Sequence, residues 1–69
     1  MFDKNLLKSE LVLKGLTYES VAKNLNITKS TLSKKINGVS EWNLTEIQTI
    51  GKIIGEDKIV AIFFATKVS

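Results

Sequence analysis

The chain has 69 residues, 43% of them apolar, and its ten lysines against seven acidic residues give a net charge of +3. A domain this small buries only ~60% of the surface its unfolded chain exposes, so one marginally stable domain over residues 1–69 is expected and a multidomain enzyme is not. The absence of Cys and His removes disulfides, thiol nucleophiles, structural zinc and every His-based triad. With no metal or disulfide staple, the fold must rest on helix packing, on self-association, or on both. There is no Pro and there are 4 Gly, so loops are expected to be short. The most apolar stretch, Ile59 to Ala65, is far shorter than the ~20 residues of a membrane span. The opening Met1-Phe2-Asp3-Lys4 has no signal-peptide pattern, and the expected location is the cytoplasm.

Apolar residues at three- and four-residue spacing (Phe2, Leu6, Leu7, Leu11, with Val12 and Leu13) predict an amphipathic helix over residues 3–14, capped by Asp3. Gly15 suits its left-handed C-terminal position. Thr17 is positioned to cap a second helix whose apolar face is Val21, Ala22 and Leu25. Asn26 then tolerates the positive φ of a sharp turn. Thr28 is a third cap, followed by Leu32 and Ile36 as a narrow buried stripe, and Asn37-Gly38 ends that helix. Asn43 with Glu46 forms a capping-box pair before a helix carrying Leu44, Ile47, Ile50, Ile53 and Ile54, which Gly55 ends. Asp57 is the candidate cap of a last short helix over residues 57–64, with residues 66–69 extended or frayed. Periodicity alone does not separate helix from strand in this β-branched and aromatic segment. The expected fold is all-α, with four or five short helices and no internal repeat.

Residues 17–38 carry the mechanism. Two short capped helices flank a tight turn at Asn26, and small Ala22 sits where they cross. That is the layout of a helix-turn-helix, whose second helix lies in the DNA major groove. Lys29, Ser30, Ser33 and Lys34 project away from Leu32. The stretch resembles the phage Cro/cI-type, Xre-like helix-turn-helix regulators: Thr17, Glu19, Ala22, Asn26, Thr28, Ser30-Thr31-Leu32-Ser33 and Asn37-Gly38 match their pattern. More loosely, the resemblance spans nearly the whole chain and includes small Cro-like phage proteins of Gram-positive hosts, through Met1-Phe2-Asp3, Phe63-Phe64 and Lys67-Val68.

The resemblance implies a compact lambda-repressor-like domain that reads bases with Lys29, Ser30, Ser33 and Lys34. It places Thr28 and Asn37 on the DNA backbone, where Tyr18, Lys23 and Lys35 would join them. Tyr18 replaces the family's usual Gln, Asn26 its usual Gly, and Lys35 an often apolar residue. Trp42, Phe63 and Phe64 are candidates for core packing or for a protein interface, and a homodimer on double-stranded operator DNA is the expected assembly. The leading expectation is a sequence-specific repressor in a phage or prophage lysis–lysogeny switch. The alternative is an antirepressor that binds the partner phage repressor instead of, or as well as, DNA. No phosphate-cradling Gly loop, metal motif or cofactor motif is present, and an enzyme is not expected. The positive charge is concentrated: residues 20–40 hold Lys23, Lys29, Lys34 and Lys35 with no acid (+4), and the other six lysines and seven acids sum to −1. Without Arg, the bidentate Arg–guanine contact is unavailable.

Overall fold

A helix leaves its first N–H groups without intrahelical partners, and here short polar side chains take them up. The computed structural model describes residues 2–64. Its elements are α1 (Lys4–Leu13), α2 (Tyr18–Leu25), α3 (Lys29–Ile36), α4 (Leu44–Ile54) and α5 (Glu56–Ile59), and α5 runs into a π-helical turn, Val60–Phe64. No strand occurs among the described residues, so the fold is all-α. The predicted tail at 66–69 lies outside the described residues.

The backbone N–H of Leu6 donates to Asp3 Oδ1 at 3.0 Å, and that of Thr31 to Thr28 Oγ1 at 3.1 Å. Two helices start with a reciprocal box. Ser20 N–H donates to Thr17 Oγ1 at 3.1 Å while Ser20 Oγ accepts from Thr17 N–H at 3.2 Å. Glu46 N–H donates to Asn43 Oδ1 at 2.8 Å while Glu46 Oε1 accepts from Asn43 N–H at 3.0 Å. The fifth start differs from expectation. Gly55 precedes α5, no side chain caps it, and Asp57 lies inside the first turn.

The ends of α1, α2 and α3 share one closure. Leu16 N–H reaches Leu11 O, Ile27 N–H reaches Ala22 O, and Val39 N–H reaches Lys34 O, and inside each is nested a bond spanning three residues. This is the Schellman arrangement, which needs a left-handed residue at its corner. Gly15 (φ 67°), Asn26 (φ 58°) and Gly38 (φ 81°) supply it.

The helices close over Leu7, Leu11, Val21, Ala22, Leu32, Ile36, Ile50, Ile54, Ile62 and Phe63, all buried. Asp3 N–H donates to Ile62 O at 2.6 Å and ties the two ends of the described chain together. The predicted stripe of α1 needs correction. Val12 and Leu13 are 79% and 75% exposed, whereas Glu10 is 7% exposed. Glu10 follows Leu7 by three residues and so shares its inward face. Its carboxylate lies 3.7 Å from Lys58 Nζ of α5. Leu44, predicted on the buried face of α4, is 65% exposed, and Gly51 is buried.

Candidate nucleic-acid interface

The turn between α2 and α3 is three residues long, and each has a job. Asn26 takes φ 58°, ψ 39°. Ile27 packs against the core. Thr28 caps α3, and its hydroxyl donates to Thr31 Oγ1 at 2.8 Å. Ala22, 2% exposed on α2, allows close packing of α3, whose Leu32 and Ile36 are also fully buried. The second helix of the pair therefore has a fixed inner face and a free outer one.

Lys29, Ser30 and Lys34 are exposed on that outer face. Ser33 is half-buried, and its Oγ accepts from Asn37 Nδ2 at 3.4 Å. Around this face lie exposed Lys23, Thr28 and Asn37. Tyr18 opens α2 half-buried, with its ring against the core. The structure thus gathers Lys29, Ser30, Lys34, Lys23, Thr28 and Asn37 on accessible backbone and side-chain surface around one helix-turn-helix.

Lys35 does not belong to that surface, contrary to the sequence reading. Its side chain is 11% exposed, and Nζ lies 2.9 Å from Glu46 Oε1. Nζ also donates to the carbonyl of Glu41 at 2.9 Å. The ammonium is engaged inside the protein and is not free to reach a phosphate. At about 100° per residue, Lys35 falls only about 60° from Leu32 on the helix circumference, well toward the buried side. That phase was readable in the sequence. Its partner was not, because Glu46 lies eleven residues on in another helix, and only the tertiary fold brings the two together. The free lysines between residues 20 and 40 are therefore Lys23, Lys29 and Lys34.

The aromatic residues also settle differently from a surface patch. Phe63 is buried and sits between Phe2 and Trp42, with ring centroids 5.2 and 5.3 Å away. Trp42 and Phe2 are 5.6 Å apart. This trio covers the end of the core beneath the loop after α3: Phe63 is part of the core and Trp42 packs against it. Phe64 is 55% exposed and stays available.

The helix-turn-helix family model matches residues 7–58, from the first core leucine to the third residue of α5. The chain belongs to this Cro/Xre-like helix-turn-helix family. The match encloses the capped α2–turn–α3 unit and the helices that support it. No curated protein and no solved structure matches the chain. The family is one of DNA-binding transcription regulators, and this helix-turn-helix protein is a DNA-binding regulator. No described helix is long and apolar enough to cross a membrane.

Proposed function

We propose that this helix-turn-helix protein is a sequence-specific repressor of the Cro kind. The observation that carries the reading is the outer face of α3, where Lys29, Ser30 and Lys34 stand exposed on a helix capped at both ends. Short side chains at the start of such a helix reach base edges, and the lysines supply donors to guanine or charge to phosphates. Thr28, Lys23 and Asn37, with the Tyr18 hydroxyl, would set the register on the DNA backbone, and Ser33 would read a base from its half-buried position. Repression would work by occupancy: protein on the operator excludes polymerase or a competing regulator, with no catalytic step. The phage or prophage switch, in the cytoplasm of a bacterial host, is supported by the sequence resemblance.

A homodimer fits this reading. Helix α4, α5 and the final π-helical turn enclose an open groove of about 500 Å³. Its apolar wall includes Leu44, Ile47, Ile59 and Phe64, and its rim carries Lys52 and Glu56. Opposite charges on one rim are self-complementary: a two-fold axis through the groove would pair each lysine with the glutamate of the second copy. A dimer would present two α3 helices to half-sites about one DNA turn, ~34 Å, apart.

Selection from a random duplex pool, followed by footprinting, tests the function. A protected pseudo-palindrome is the expected result. Lys29→Ala should then cost ~1–3 kcal/mol on the selected site and little on random duplex if Lys29 reads a base. Equal losses on both would make it a phosphate contact. Sedimentation of wild-type and Phe64→Glu protein tests the dimer. A wild-type monomer at micromolar concentration, or an unchanged dimer in the variant, would refute the groove as its interface. Tight capture of a co-expressed neighbouring repressor by the wild type, with loss of DNA binding, would instead favour the antirepressor reading.

A further inference from the structure

The buried Lys35–Glu46 pair has a geometry that surface ion pairs lack. One oxygen, Glu46 Oε1, lies 2.9 Å from Lys35 Nζ and 3.0 Å from the backbone nitrogen of Asn43. The same Nζ donates to Glu41 O at 2.9 Å. Thus the last turn of α3, the loop over 37–43 and the first turn of α4 meet at two side chains, 11% and 8% exposed. Burying an ion pair is costly, and an apolar pair of similar size often stabilises a fold as well or better. Stability alone therefore gives little reason for Lys35.

Orientation gives a better one. Helix α3 packs mainly on α2, and its buried residues are Leu32, Lys35 and Ile36. The two apolar side chains form a narrow stripe, about which a short helix can rock. A directional bond to α4, off that stripe, stops the rocking. With its side chains a helix is about 10–12 Å across. A roll of about 5° about the Leu32–Ile36 stripe would displace the outer ends of Lys29 and Ser30 by about 1 Å. Such a shift takes a donor out of the ~2.7–3.2 Å range in which it can bond a base.

We propose that Lys35 and Glu46 are a positioning pair for base reading: they set the roll of α3 about its buried stripe and contribute no charge to the DNA backbone. This rests on the DNA-binding reading. It predicts that affinity for a selected site depends on the pair, whereas affinity for random duplex does not.

The test compares wild-type protein, Lys23→Met, and the double variant Lys35→Met/Glu46→Gln on a duplex selected from a random pool and on random duplex, across a salt series. The single variant Lys35→Met strands a buried carboxylate and risks unfolding. The double variant strands no charge, and Gln keeps an acceptor for Asn43 N–H. The expected double variant melts within a few degrees of wild type, loses at least about tenfold on the selected duplex, and keeps its affinity for random duplex. Its plot of log K against log salt keeps the wild-type slope, while Lys23→Met loses about 0.9. A slope reduced by about 0.9 in the double variant would make Lys35 a phosphate contact and overturn the proposal. So would a selected-site affinity equal to wild type. Wild-type protein that retains no duplex at low salt would overturn the DNA reading and the pair's role in it. Amide exchange separates that failure from a failure of the pair itself. Faster exchange confined to α3 and residues 39–43 in the double variant shows that the pair holds the helix, and an unchanged pattern shows that it does not.

Discussion

Replacing Gly55 by Ala tests whether the α4–α5 corner is held by backbone conformation. Gly55 has φ 112° and ψ 131°, outside the left-handed well that other residues occasionally enter. A Cβ there would stand 2.8 Å from Asp57 Oδ1. That oxygen is the end of a short flexible side chain and can swing away, so most of the cost is backbone strain. Conformations of this kind cost on the order of 1–3 kcal/mol, and Ala recovers about 0.4–1 kcal/mol by restricting the unfolded chain. Because Gly55, at φ 112° and ψ 131°, lies outside the wells that other residues use, the upper end of that strain applies and a net loss of about 2 kcal/mol is expected. Gly15 is the matched control. Its φ is 67° and nothing lies within 4 Å of its added Cβ. Left-handed Ala costs about 1–2 kcal/mol, so the net loss there should be about 0.5–1 kcal/mol. A domain of this size loses about 4–8 °C per kcal/mol. Thermal melts followed by circular dichroism should therefore fall by about 8–16 °C for Gly55→Ala and about 2–8 °C for Gly15→Ala. Adding Asp57→Ala to Gly55→Ala should recover little. Equal shifts at the two glycines would refute the strain argument, and full recovery on removing Asp57 would assign the cost to the clash.

Other expectations follow from the helix-turn-helix itself. Asn26→Gly should be close to neutral in chemical denaturation, whereas Asn26→Val, with a β-branched side chain at φ 58°, should lose about 1–2 kcal/mol. Thr28→Ala removes the acceptor of Thr31 N–H and should cost about 1 kcal/mol, with faster amide exchange concentrated in the first turn of α3. Leu32→Ala empties a fully buried site between α2 and α3 and should cost about 3–5 kcal/mol. Against a total of about 3–10 kcal/mol for a chain this long, the loss should appear as a large fall in helical ellipticity at 25 °C.

The sequence by itself determined the parts of this protein that are built from near neighbours. Asp3, Thr17, Thr28 and Asn43 each satisfy a backbone N–H three residues on. Gly15, Asn26 and Gly38 each close a turn of six residues. Such bonds depend on residue type and spacing, so the α2–turn–α3 unit and the outward residues Lys29, Ser30 and Lys34 were legible without coordinates. What covers each helix was not. Val12 and Leu13 have the same chemistry as Leu11, yet they face solvent because no described element lies over them. The sequence leaves Phe63 between core and interface because its cover, Phe2 and Trp42, comes from distant parts of the chain. Lys35 shows the difference best. Counted along the chain it adds to a basic segment; in the fold it is neutralised by Glu46, eleven residues away on another helix. Charge composition is additive in the sequence, but the field at the DNA-facing surface depends on which charges the tertiary structure has already paired.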